Sequence, residues 1–190
     1  MAINKNNFFI EGISGTIAKQ MTLRQNRGKT VISKKSKGSA LPPTDEQLAV
    51  REKFEDAADF AIGVLNDPVK KAAYNEAAIK LGMSAYALAL KDAHSFPEIR
   101  RIVTTKYKGL VGDTVTIKAK DVFTLDSVRV EIRSAANVLL EEGQAIAAGG
   151  NGKDWTYTAT VANPAVTGTR VTVIATDMPG NETTREFTIP

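Results

Sequence analysis

The sequence contains no cysteine, which excludes disulfides, thiolate nucleophiles and cysteine-based metal sites at the outset. It has one histidine, His94, and one tryptophan, Trp155. A Ser-His-Asp triad or a His-Glu-x-x-His zinc site would have to use His94, and no fitting partner motif lies beside it. Ser95-Phe96-Pro97 follows directly, so His94 reads as a surface or capping residue at the end of a helix. Phosphate-cradling and nucleophile-elbow glycine motifs are also missing. No catalytic, cofactor-binding or metal-binding residue is therefore assigned, and a non-enzymatic protein is expected.

Long apolar runs are lacking too. Nothing approaches the ~18 consecutive apolar residues of a membrane span. The N-terminus offers no basic segment followed by an apolar core, its longest apolar run being Phe8-Phe9-Ile10. The chain is accordingly expected in the cytoplasm as synthesised, either there or within a released particle.

What is present is ordinary in bulk and uneven in distribution. With 190 residues, 43% apolar and 24% charged, the chain can fold into one large or two small domains with real cores. Residues 1–42 hold eight Lys or Arg against Glu11 alone, a net charge of +7. Residues 43–97 hold six basic and nine acidic side chains, a net of −3, and the remainder is neutral. The overall charge of +4 thus originates in the first 42 residues.

That basic region, residues 1–43, is expected to be a β-hairpin arm and linker. Two β-favouring runs, Gln20-Met21-Thr22-Leu23-Arg24 and Lys29-Thr30-Val31-Ile32-Ser33, flank an Asn26-Arg27-Gly28 turn signal. Such a hairpin is too small to be stable alone and needs a third strand or a helix to cover it. Lys34 to Pro43 is mostly Lys, Ser, Gly and Pro, which reads as a linker. Arg24, Arg27, Lys29, Lys34, Lys35 and Lys37 are the candidate interaction residues, because clustered cations suit an acidic neighbour or phosphates.

A small cluster of three helices is expected over residues 44–96. Thr44 and Gln47 form a capping box, and Val50, Phe54, Ala57, Ala58, Ala61, Val64 and Leu65 recur on one helical face. Asp67-Pro68 restarts the chain as cap and first helical position, Gly82 stops that helix, and Ser84 caps a third.

From residue 97 to 190 the period changes to two. Val115, Ile117 and Ala119, then Val128, Val130 and Ile132, then Trp155, Tyr157 and Ala159, then Val171, Val173 and Ala175 alternate with polar residues. About seven short strands separated by Gly, Pro and Asn turns predict an all-β sandwich of immunoglobulin type. On this pattern Val130, Trp155, Tyr157 and Val173 are core, and Glu141 and Glu142 fall in a solvated turn. The fold class expected is α+β and multidomain.

Three stretches carry resemblances. Ala175-Thr176-Asp177-Met178-Pro179-Gly180-Asn181 resembles the Ala-x-Asp-x-x-Gly-Asn turn of bacterial immunoglobulin-like repeats, with Asp177 and Asn181 read as turn-formers rather than calcium ligands. Asp67-Pro68-Val69-Lys70-Lys71-Ala72-Ala73-Tyr74 is superficially similar to the last helix of J-domains, but their His-Pro-Asp tripeptide is absent from this chain. Gly12-x-x-Gly15-Thr16-Ile17 with Arg24-Gln25-x-Arg27-Gly28-Lys29-Thr30-Val31-Ile32-Ser33-Lys34 resembles a group of small uncharacterised Bacteroidetes proteins over residues 8–93. That resemblance carries over no functional residues.

Immunoglobulin-like modules mostly work outside cells, whereas this chain shows no export signal. A structural subunit of a phage-like or contractile-injection-like particle would reconcile the two, with arm and helices mediating homo-oligomeric assembly and the sandwich displayed outward. A nucleic-acid-binding protein using the basic arm and a surface adhesion module are the alternatives. Stacking aromatics, which nucleic-acid sites usually add to charge, do not occur between Asn26 and Leu41.

Overall fold

Leu23, Thr30 and Val31 are the buried residues of an N-terminal antiparallel sheet formed by β1 (Ala2–Ile3), β2 (Gly15–Ile17), β3 (Met21–Asn26) and β4 (Lys29–Lys34). The computed structural model describes residues 2, 3, 9–26, 28–36, 38 and 41–190; the predicted interaction residues Arg27 and Lys37 lie outside them. Asn26 pairs with Lys29, closing the hairpin where the Asn-x-Gly signal predicts it. The hairpin is flanked by its own chain on both sides, with strand order β1-β4-β3-β2. Thr30 Oγ1 accepts hydrogen bonds from Gln25 Nε2 at 2.8 Å and from the Gly12 backbone at 3.3 Å, so a buried hydroxyl ties the preceding loop to the hairpin.

Residues 1–45 and 46–190 are two compact units. The second holds all but the first residue of α1 (Asp45–Asn66), then α2 (Pro68–Leu81) and α3 (Ala85–Ala93). The ends of α2 and α3 follow the sequence signals. Asp67 accepts from the backbone of Val69 and Lys70, and Ser84 from that of Ala87, satisfying amides that a helix start leaves unpaired. Gly82 sits at φ 64° and its N–H reaches Ile79 O while Met83 N reaches Ala78 O, a Schellman ending that requires the left-handed conformation. Ala61, Val64, Tyr74, Ala78, Ala85, Leu88 and Ala89 form a small core between the helices.

The alternating segments build two further four-stranded antiparallel sheets. One runs β5-β6-β10-β9, from β5 (Glu98–Val103), β6 (Thr114–Lys120), β9 (Ile146–Ala148) and β10 (Asp154–Thr158). The other runs β12-β11-β7-β8, from β7 (Leu125–Arg133), β8 (Leu139–Gln144), β11 (Arg170–Asp177) and β12 (Glu182–Thr188). Val115 and Ile117 of the first sheet share one core with Val128, Val130, Ile132, Val171 and Val173 of the second, all seven completely buried. Each such side chain contributes about 1.5–3 kcal/mol by leaving water, which is why strict alternation fixes the register. The chain is thus mixed α+β, with two sheets packed on one core.

Two expectations change. Trp155 is half-buried and packs on the edge of this core rather than within it, and its Nε1 is buried without a hydrogen-bond partner. Glu141 is not in a solvated turn; it lies on β8, buried. Gly143, two residues on, passes under the Tyr157 ring so closely that a Cβ there would sit 3.0 Å from Cε2. The helical core also draws on the sheets: Val122 and Phe123, from the β6–β7 connection, pack against it.

Candidate functional site

The arm divides its basic residues between two faces. Side chains alternate along a strand, and Arg24 pairs with Val31 while Asn26 pairs with Lys29, so Arg24 and Lys29 share one face. Lys34 pairs with Met21 and takes the other face, with Leu23 and Ile32. Lys34 and Lys35 meet Lys19, Gln20, Met21 and Ser36 around a cleft of about 550 Å³. Lys19 escaped the sequence reading because it lies in the turn between β2 and β3, fifteen residues from Lys34, the nearest other basic residue of the cleft. Ala18 and Lys19 both adopt left-handed conformations there, at φ 50° and 55°, which for non-glycine residues costs roughly 1–2 kcal/mol each. Gln20 N closes this turn onto Ile17 O at 3.0 Å, and Lys35 N bonds Gln20 O at 2.7 Å, holding the lysines together.

Helix α1 presents two unusual faces. Glu52, Glu55, Asp56 and Asp59 follow i, i+3, i+4, i+7 spacing and are all exposed, forming one acidic stripe. On the apolar side Ala57, Ala61 and Val64 are buried, yet the same stripe continues toward the N-terminus as Val50, 66% exposed, and Phe54, 52% exposed. A helix normally buries such a stripe. The Phe54 ring lies 5.9 Å from that of His94, which closes α3 with its backbone N–H on Leu90 O. Beside them a cavity of about 390 Å³ opens between α1, the end of α3 and the β11–β12 turn, lined in part by Phe60, His94, Phe96 and Pro179.

A third constellation lies where helices meet sheets. Tyr74 Oη donates to Asp92 Oδ2 at 2.6 Å, and Asp92 has no solvent exposure. Burial raises the Asp92 carboxyl to about 7, its neighbour Asp121 adding to the shift, and burial together with the Asp92 hydrogen bond raises Tyr74 well above a phenol's ordinary value. Asp177 Oδ1 accepts from the backbone of Gly180 and Asn181, making the turn its sequence suggests. Asn181 Nδ2 donates to Asp177 Oδ2 and to the carbonyls of Ala93 and Ser95, so this turn also holds the end of α3. Among the described residues no group of three or more His, Asp or Glu is placed to hold a metal ion.

Glu141 performs a structural task. Its Oε2 accepts from Tyr157 Oη at 2.9 Å, Thr160 N at 2.7 Å, Thr160 Oγ1 at 2.9 Å and Val161 N at 3.2 Å, securing the segment after β10. Burial, reinforced by that hydrogen bond, pushes Tyr157 up to about 12. No helix of the described residues is long and apolar enough to cross a membrane. The chain matches no protein-family model and none of the curated proteins.

Proposed function

We propose that this chain is a non-enzymatic assembly subunit in which the basic arm of one copy docks on the acidic stripe of α1 in the next. The sandwich is then displayed outward, as in a phage-like or contractile-injection-like particle. The observation that carries this reading is the segregation of charge. An arm of net +7 accompanies a helix whose Glu52, Glu55, Asp56 and Asp59 share one exposed face. Complementary patches of this kind steer association and fix register. The exposed Val50 and Phe54 add apolar surface next to the charged one, which electrostatics alone lacks.

The outward module is read as immunoglobulin-like. In that fold's lettering, β5, β6, β10 and β9 take the places A, B, E and D, while β12, β11, β7 and β8 take G, F, C and C′. The particle context rests on this fold analogy and on nothing in the side chains.

Light scattering after size exclusion tests assembly directly. The full chain at about 100 µM should be larger than a monomer at low salt and shrink as salt screens the pairing. A monomer under every condition would overturn the proposal. The cleft of Lys19, Lys34 and Lys35 favours a second reading, phosphate contacts with a nucleic acid. In that case affinity for duplex or single strands should fall steeply between about 50 and 200 mM salt.

A further inference from the structure

Asp92 and Asp121 present two buried carboxylate oxygens, Oδ1 of each, that have no hydrogen-bond partner. Buried acceptors are nearly always satisfied, and an unmet one is costly. Two carboxylates cannot satisfy each other, since neither has a hydrogen to give. Asp121 lies within side-chain hydrogen-bonding reach of Asp92, so one proton on Asp92 gives it a hydrogen to donate to its neighbour. We propose that Asp92 and Asp121 share a single proton, and that this proton fastens the helices to the sheets.

The placement gives the proton a structural role. Asp92 is on α3 and Asp121 begins the β6–β7 connection, so the pair bridges the helical cluster and the two-sheet body within one compact unit. The groups that face Asp92 are Tyr74 from α2, Asp121, and Asp177 from the end of β11. All are acidic. Tyr74 satisfies the other Asp92 oxygen and by itself favours the charged form, but burial outweighs it and the fields of Asp121 and Asp177 act in the same direction as burial. The Asp177 carboxyl is raised as well, chiefly by burial, while its bonds to Asn181 oppose the rise.

The direction of the pH effect follows. Asp92 holds its proton up to about 7 when folded, whereas an unfolded aspartate releases it near ~3.9. Folding therefore takes up a proton in between. The stability this pair contributes is full below about pH 4 and is lost as pH rises to neutrality, after which the junction carries two unpaired buried charges. The helices should consequently be held more tightly in acid than in mildly alkaline solution.

The side-chain carboxyl carbon resonances of the full chain, followed from pH 3 to 9, test this. Asp92 should titrate with a midpoint above about 6, far from the ordinary carboxylate range. Asp121→Asn should lower that midpoint by a unit or more, because the amide removes a like charge and donates N–H to Asp92 Oδ1. In parallel, the wild type should melt at a lower temperature at pH 8 than at pH 5.5, and Asp92→Asn, which keeps the neutral form at every pH, should lose less across that interval. An Asp92 midpoint near 4 in the wild type overturns the shared proton without recourse to any variant. So does a midpoint unmoved by Asp121→Asn, or an Asp92→Asn protein whose pH dependence equals that of the wild type.

Discussion

The Phe123 ring stacks on that of Tyr74 with centroids 4.0 Å apart and planes 29° from parallel. One ring comes from a strand connection and the other from α2, so the smaller helical core is completed by the sheets. Three helices with Ala-rich faces bury little surface on their own, and this contact supplies what they lack. Phe123→Ala should destabilise the 46–190 unit by about 2 kcal/mol, below the ~3–5 kcal/mol of a fully buried Phe because the ring is only partly buried. Urea unfolding measures it. A loss under about 0.5 kcal/mol would show that the helices do not depend on the sheets.

Glu141 offers a sharper contrast. Glu141→Leu leaves Tyr157 Oη, Thr160 N and Oγ1 and Val161 N without their acceptor, at a cost of about 3 kcal/mol. Glu141→Gln retains an acceptor oxygen and should cost about half as much. Equal losses in the two variants, read from denaturant midpoints, would mean that the site is held by shape rather than by these bonds.

At Gly82 the expected effect is conformational. Gly82→Val forces a β-branched residue to φ 64° and should cost roughly 1–2 kcal/mol, with Gly82→Asn milder. An unchanged melting temperature in Gly82→Val would mean that the α2 ending does not depend on this cap.

Trp155→Ala should be less damaging than Tyr157→Ala, about 2 against ~3–5 kcal/mol, since Trp155 lies at the core edge and Tyr157 is 3% exposed and bonded to Glu141. The reverse order would place Trp155 inside.

Much of this architecture could be read from residues alone. Asp67, Gly82 and Ser84 act locally, through their own backbone neighbours, so their roles needed no tertiary information. The Val115, Val128 and Val171 strands alternate strictly, and one-sided burial gives them their only workable register. β8 was hidden because Glu-Glu-Gly has the composition of a turn, and only donors 16 to 20 residues away make Glu141 a strand residue facing inward. β1 is two residues long, too short for any periodicity to register, so a four-stranded sheet looked like a bare hairpin. Of the basic residues assigned to the arm, Lys34 and Lys35 are brought together, while Arg24 and Lys29 occupy the opposite face, and the third lysine of the cleft, Lys19, has no local signal. The carboxyl pair was invisible for the same reason: Asp92 and Asp121 belong to different elements, and nothing in either neighbourhood announces burial.

Mixing two charge-reversed proteins tests docking of arm on helix most directly. One variant carries Lys19→Glu, Lys34→Glu and Lys35→Glu; the other carries Glu52→Lys, Glu55→Lys and Asp59→Lys. All six positions are exposed, so each change should leave folding within about 0.5 kcal/mol per site. Alone, each variant places like charges on both docking faces and should sediment as a monomer. Mixed in equal amounts, the reversed lysine cleft of one meets the reversed helix stripe of the other, and the larger species should return. Assembly of either variant alone at the wild-type level, or a mixture that stays monomeric while the wild type assembles, would contradict docking of arm on helix.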